Sequence, residues 1–459
     1  MNNNQKIAII GGGLVGSLLS LFLAKRGFHV DIFERRSDPR ARGFIGGRSI
    51  NLALSDRGWK ALEGVGMADK VRTMAIPMKQ RIMHAQDGNI TFQKYGKEDQ
   101  AIFSVPRGPL NLMLLERADE HPNVSLHFEE QCKDIDLDSN TIKFLKGKNQ
   151  EIHEEHYDRI FGTDGAFSAV RSRLMKTDRF NYQQTYLTHG YKELEIPPGK
   201  DGDFQLDPNA LHIWPRGEYM MIALPNPDKS FTCTLFFPFE GSPSFESVQT
   251  KEQAEAFFKE QFADAIPLMP DYLEDYEKNP TSSLVTISSY PWNHDDKVLL
   301  MGDASHAIVP FYGQGMNSGF EDCTVFDEIF DQCNGNWEQI FSKFSSKRFP
   351  EAEAIKELAL RNYIEMRDKT ADPEFLLQKK IERKFADLYP ELWMPLYSQV
   401  TFSHIPYDQA LKQGIEQNQI MKSVMNRPDI HECWNEPEII ENILKALKNS
   451  NNKSVNSVV

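Results

Sequence analysis

Three glycines carry the first chemistry legible in this chain. Gly11, Gly13 and Gly16 follow a short apolar segment, Lys6 to Ile10, and lead into a second one, Leu14 to Arg26. In a strand, turn and helix of this kind the first glycine permits the turn, the second lets backbone approach a pyrophosphate, and the third lets helix meet strand. The helix N-terminus then faces the phosphates with unspent amide groups. A further apolar strand, Val30 to Phe33, ends in Glu34, placed where a carboxylate accepts hydrogen bonds from an adenosine ribose. The spacing predicts a dinucleotide site. Far downstream an apolar strand, Val298 to Met301, leads into Gly302-Asp303-Ala304-Ser305-His306, Pro310 and Gly313-Gln314-Gly315-Met316-Asn317, ahead of an amphipathic helix expected from Phe320.

The elements that position these residues need a large globular chain. With 459 residues, 40% hydrophobic and 26% charged, the composition excludes collagen-like, coiled-coil and low-complexity proteins. A net charge of −14 disfavours a nonspecific nucleic-acid binder. Cys132, Cys233, Cys323, Cys333 and Cys433 are scattered without C-x-x-C spacing, which argues against a disulfide framework and a structural metal and fits a reducing cytoplasm. The uncharged run Ile7 to Ala24 is interrupted by its glycines and reads as strand, turn and helix, so no membrane span is expected. Residues 186–289 alternate in short strand-like runs, including Tyr219 to Leu224 and Phe231 to Phe237. After Gly335 the pattern turns helical, with Lys343 to Met366 and Pro373 to Leu388 as candidate helices and a polar tail expected to be disordered.

The downstream glycine pattern, with Gly162-Thr163-Asp164-Gly165-Ala166 and Arg107-Gly108-Pro109-Leu110-Asn111-Leu112, resembles the class A flavoprotein aromatic hydroxylases of the para-hydroxybenzoate hydroxylase type. The resemblance implies an α/β fold: a Rossmann-like FAD-binding domain, an inserted β-sheet substrate domain and a C-terminal helical region. Its boundaries are expected at 1–76, 102–185 and 290–335 for the FAD domain and 77–101 with 186–289 for the substrate domain. The helical region is expected at 336–448 and the tail at 449–459. Asp303 would accept from ribityl hydroxyls, and the following helix N-terminus would stabilise negative charge on the flavin ring. Asp164 belongs to the family's second fingerprint, near the cofactor and the nicotinamide approach. With one G-x-G-x-x-G turn only, a nicotinamide dehydrogenase is disfavoured; NADPH is expected to bind transiently at a place the sequence does not show.

Gly47-Arg48-Ser49-Ile50-Asn51-Leu52-Ala53-Leu54-Ser55, His189-Gly190-Tyr191, Leu211-His212-Ile213-Trp214-Pro215, Asn362-Tyr363-Ile364-Glu365-Met366 and Tyr397-x-x-Val400-Thr401-Phe402-Ser403 are similar to the kynurenine 3-monooxygenase family within that class. The likeness runs from about Lys6 to about Ala410. It implies L-kynurenine, NADPH and O2 as substrates on tightly but noncovalently bound FAD, giving 3-hydroxykynurenine in tryptophan degradation and quinolinate and NAD biosynthesis. The matching substrate positions are Arg81, for the carboxylate, with Tyr95, Asn362 and Tyr397. The matching cofactor positions are Gly11, Gly13, Val15, Gly16, Phe33, Glu34, Arg35, Arg36, Ala53, Arg107, Cys132, Asp164, Asp303, Gly315, Met316 and Asn317. His306 and Gln314 lie near the flavin by position, with a structural role equally open. The chain ends without the apolar anchor of mitochondrial relatives, so a soluble, cytoplasmic enzyme is expected, with no nucleic-acid or membrane partner. The alternatives are a hydroxylase of another aromatic ring and a non-oxygenating flavoprotein reductase.

Overall fold

The computed structural model describes residues 5–42, 51–369 and 372–456. Its first layer is a six-stranded sheet in the order Asn293–His294, Val298–Leu300, Arg159–Gly162, Lys6–Ile10, His29–Glu34 and Val124–Phe128. All of these pair in parallel except the short first strand. A parallel sheet is covered on both faces, so its strands are continuous apolar runs. Ile7, Ala8 and Ile9 are fully buried, as are Val298, Leu299 and Leu300. The helices Leu14–Lys25 and Gly315–Gln332 pack into the same core. Each fully buried Ile or Leu there contributes about 1.5–3 kcal/mol. A small antiparallel sheet of Glu151–His156, Thr141–Lys146 and Glu130–Asp136 flanks this layer, and Asn51–Leu54, Ile102–Pro106 and Ile76–Met78 form another.

The second layer is a seven-stranded sheet, ordered Ser282–Tyr290, Asn181–Ile196, Phe231–Pro238, Met220–Pro225, Ala210–Pro215, Gln80–His84 and Ile90–Lys94. Side chains alternate along a strand, so one face differs from the other. Leu211, Ile213, Met220 and Leu224 face the helix Trp337–Ile364, whereas Trp214, Met221 and Ala223 face the helices Lys251–Gln261 and Tyr272–Lys278. Met83 belongs to the first set, and Arg81, two residues before it, shares that face.

The C-terminal region is helical, with Pro373–Leu388, Tyr407–Met425 and Pro437–Asn456 packed around Ile381, Phe385, Trp393, Ile439 and Ile443. Helix continues to Asn456, past the expected start of disorder at 449, because the apolar stripe of the last helix is anchored and the backbone propagates from it. Residues 457–459 lie outside the described residues. Gly315–Gln332 begins five residues before Phe320: Gly313 adopts a left-handed φ of +68° and Ser318 N donates to the Gln314 carbonyl at 2.8 Å. Helix propensity alone disfavours glycine, and tertiary contacts override it here. All five cysteines are free. Among the described residues, no helix is long and apolar enough to cross a membrane.

Candidate active site

The first turn is built around close backbone approach. Gly11 has φ +108°, and a Cβ there would lie 2.6 Å from the Thr163 carbonyl oxygen. A Cβ on Gly16 would lie 2.0 Å from the Gly11 carbonyl oxygen, whereas Gly13 has no neighbour within 4 Å of that position. The first and third glycines are thus demanded by packing, and the second faces open space. Gly13 is the N-cap of the helix Leu14–Lys25, whose first turn carries no acidic side chain. Its amide groups are free for an anion. Glu34 accepts from Gly12 N at 3.2 Å and Arg36 N at 2.9 Å, which fixes its carboxylate while leaving acceptor capacity for ribose hydroxyls.

Two more helix N-termini border this groove. Asn111, on the helix Arg107–Asp119, donates to the Gly12 carbonyl at 3.1 Å. Gly302 and Gly319 both approach Val15, joining the helix Gly315–Gln332 to the first turn. Neither helix has an acidic residue in its first turn or a side-chain cap. Asp303 is exposed in the groove at the start of the short helix Asp303–His306. Protein still crowds it: burial raises its pKa, opposed by the charges of Arg107 and His306. Arg107 is likewise exposed and lies within electrostatic reach of Asp303. Glycine clearance, three uncapped helix ends and two open polar side chains fit an elongated dinucleotide.

Several expected cofactor positions turn their side chains elsewhere. The Phe33 ring is buried between His127 and Phe144, with centroids at 4.7 Å and 4.1 Å, leaving its backbone, whose carbonyl accepts from Gly11 N at 2.8 Å. Cys132 is buried, and burial beside Asp164 and Asp134 pushes its thiol pKa up, so a contact from it would be through backbone. Asn317 is fully buried: it donates to the Ala53 carbonyl at 2.7 Å and the Gly313 carbonyl at 2.8 Å, and accepts from Ser55 N at 2.9 Å. It clasps Ala53 to the turn that precedes the helix Gly315–Gln332. Asp164 accepts from Ala169 N at 2.6 Å and Val170 N at 3.3 Å; burial raises its pKa while these bonds and Ser168 lower it. Arg35 is exposed beside Arg36 at the end of the second strand. Residues 47–50 of the Gly47 to Ser55 stretch lie outside the described residues.

The side chains of His306 and Gln314 are both engaged by protein partners. His306 Nε2 meets Asp322 Oδ2 at 2.7 Å and stacks on Trp292, and Gln314 accepts from the Tyr407 hydroxyl at 3.0 Å. Asp322 also accepts from Gly302 N at 2.9 Å and Arg348 Nε at 2.8 Å. Arg348 continues to Glu321 at 2.9 Å and to Glu351, and Glu321 is paired with Arg57. This buried network ties Gly302 to the helix behind it. Local spacing does not signal it, since the links of Asp322 to Gly302 and Arg348 and of Glu321 to Arg57 join distant segments.

The substrate positions gather beyond the second turn. The Arg81 guanidinium carbon sits 5.2 Å from the Tyr95 ring centroid and 4.9 Å from that of Tyr397. Its Nε and the Tyr95 hydroxyl are buried with no hydrogen-bond partner among the described residues. Burial works to lower the Arg81 pKa, but Tyr95, Tyr397 and Glu365 outweigh it and raise it, so the cation persists. Tyr95 stacks on Tyr397 at 5.2 Å, and Tyr397 on Tyr312 at 5.4 Å. Burial raises the pKa of all three phenols, which remain protonated donors. Tyr312 immediately precedes Gly313, so the column of rings links the Arg81 cage to the groove. Its place beside the Gly313 motif is the signal that sequence reasoning passed over. Asn362 is buried and donates to the Phe311 carbonyl at 2.6 Å; it holds the turn Pro310–Tyr312 rather than pointing a free amide at the cage.

Residues 4–355 match the FAD binding domain family. The chain is 50% identical over 448 residues to the kynurenine 3-monooxygenase of Flavobacterium johnsoniae, covering 98% of this chain and 100% of the relative. The chain belongs to the kynurenine 3-monooxygenase family. The enzyme of that family from Flavobacterium psychrophilum is 49% identical, with 97% of this chain and 99% of the relative covered. Among solved structures, the tetrameric form of 2-methyl-3-hydroxypyridine-5-carboxylic acid oxygenase matches with TM-score 0.67 at 17% identity, over 81% of this chain and 95% of that one. It shares the fold of the family.

Proposed function

We propose that this chain hydroxylates L-kynurenine to 3-hydroxykynurenine with NADPH and O2 on FAD, as a step of the kynurenine pathway. Its family membership supports the reaction, and one structural observation carries the substrate: a charged, partly unsatisfied Arg81 between two tyrosine rings, joined through Tyr312 to the glycine turn. A guanidinium fork of this kind receives a carboxylate. Tyr95 and Tyr397 supply neutral donors beside it, and Asn362 positions Phe311 and Tyr312. FAD lies along Gly11, Gly13, Val15, Gly16 and Glu34, with Arg35, Arg36, Ala53, Arg107, Cys132, Asp164, Asp303, Gly315, Met316 and Asn317, and with only the backbone of Phe33.

When bound and reduced by NADPH, FAD would activate O2, which is the source of the electrophilic oxygen. The aniline nitrogen of kynurenine enriches its own ortho carbon, so the chain need provide no strong acid or nucleophile. Its tasks are to hold that carbon in place and to exclude water. Phe236 and Tyr363 pack on Phe311 at 4.8 Å and 4.0 Å, within the same apolar cluster as Tyr95. Residues 1–76, 102–185 and 290–335 serve FAD, residues 77–101 and 186–289 the substrate. Five free cysteines support a cytoplasmic location.

The test is NADPH consumption by the purified protein with kynurenine, with a simple phenol or salicylate, and without an aromatic. Stimulation by kynurenine alone is expected. Equal stimulation by phenols would favour the other hydroxylases, and an unchanged rate a flavoprotein reductase.

A further inference from the structure

NADPH is a further anionic ligand of the reaction. Kynurenine's carboxylate faces Arg81 and the FAD phosphates face the Gly13 turn, which leaves the phosphates of NADPH without a partner. A groove of about 630 Å³ opens between the strands Glu130–Asp136 and Thr141–Lys146 and the helix Ala169–Leu174. That volume lies in the ordinary range for a small-molecule site, about 300–1,000 Å³. Lys133, Lys143, Arg173 and Lys176 line it, against Asp134 as the one carboxylate.

On a chain of net charge −14 such a basic concentration is not what composition predicts. The cations are also largely unspent. Lys143 has one loose partner, Glu154 at 3.8 Å, with both side chains well exposed. Lys133, Arg173 and Lys176 form no ion pair among the described residues, although Asp136 stands within electrostatic reach of Arg173. Arg173 Nε is buried and has no hydrogen-bond partner among the described residues. At the lip stands Phe167, 70% exposed, the most exposed large hydrophobic side chain among the described residues. Cations beside an open aromatic face suit a ligand that combines phosphate with a flat base. The groove also abuts the proposed flavin region, because Cys132 lines it and Ala169, on its wall, donates to Asp164.

We propose that this groove receives the adenosine end of NADPH, with Lys133, Arg173 and Lys176 around its 2′-phosphate and Phe167 against its adenine. The proposal rests on the reading of the chain as NADPH-dependent. Its test is the Lys133→Glu/Lys176→Glu holoenzyme, with a Lys70→Glu/Lys412→Glu variant of equal charge elsewhere on the surface. Calorimetry with adenosine 2′,5′-bisphosphate and adenosine 5′-monophosphate isolates the 2′-phosphate without turnover. The wild type should prefer the bisphosphate, and the groove variant should lose roughly tenfold or more of that preference, with a matching rise in KM for NADPH. FAD content and kynurenine affinity should not change.

An unaltered preference would overturn the proposal, and so would an equal loss in the control variant, which would reduce the effect to bulk charge. Release of FAD from the groove variant would overturn it too, by making the groove part of the flavin site. Failure of the underlying reading looks different: the wild type itself would then not oxidise NADPH in response to kynurenine.

Discussion

Replacing Arg81 with alanine removes the one guanidinium placed between Tyr95 and Tyr397, at 5.2 Å and 4.9 Å from their centroids. If that cation holds the substrate carboxylate, the variant must bind the anion without the guanidinium that pairs with it. Truncating one partner of a buried, hydrogen-bonded charge pair costs about 2–5 kcal/mol. At about 1.4 kcal/mol per factor of ten, kcat/KM for kynurenine should fall by roughly 30-fold to several thousand-fold. FAD binds elsewhere, so flavin content and the visible spectrum should persist. The fold should lose little, since each cation–π contact contributes only about 0.5–2 kcal/mol. Tyr397→Phe should show a milder loss, about 0.5–1.5 kcal/mol, because it deletes one neutral donor and keeps the ring. Steady-state kinetics on flavin-replete protein, with a kynurenine titration of the flavin spectrum, read both. Near-wild-type kcat/KM in Arg81→Ala would refute the carboxylate assignment.

Two other outcomes follow from the geometry. Gly16→Ala places a Cβ 2.0 Å from a backbone oxygen, so the variant should purify with little FAD and a lowered Tm; full flavin occupancy would contradict the turn. His84 is held neutral down to about pH 4, first by burial and then by His212 and Arg216, against Asp264. Unfolded, it takes its proton near pH 6.5, so stability should fall as pH drops from 6.5 towards 4, by at most about 1.4 kcal/mol per pH unit. Denaturant unfolding at pH 7 and pH 5 should show that slope reduced in His84→Asn, and an identical slope would exclude His84 as its source.

Local backbone demands were the most legible part of this chain. Gly11 and Gly16 are required by neighbours a few residues away or on the adjoining strand, and the same holds for Glu34 at its strand end. Phe33 and Asn317 show where legibility stops. A strand residue beside the turn reads equally well as ligand or core, and the stacking of Phe33 between His127 and Phe144 is settled only by strands that arrive about a hundred residues later. The helix start at Gly315 depends on Asn317 gripping Ala53 and Ser55, a contact between distant segments that overrides glycine's poor helix propensity. The Asp322 network behind Gly302 is long-range apart from the i,i+3 pair of Arg348 and Glu351, and Arg348 reads in sequence as an ordinary helix arginine. Arg81, Tyr95 and Tyr397 were visible through family resemblance alone; their stacking comes from bringing the sheet against the C-terminal helices.

On the proposed function, the chain delivers one oxygen atom to kynurenine held by Arg81 beside the flavin. Its most direct test is the product from purified holoenzyme, L-kynurenine, NADPH and isotopically labelled O2. The expected product is 3-hydroxykynurenine carrying a single labelled oxygen, in near proportion to the NADPH consumed. NADPH oxidation that yields only hydrogen peroxide, with kynurenine recovered unchanged, would contradict it.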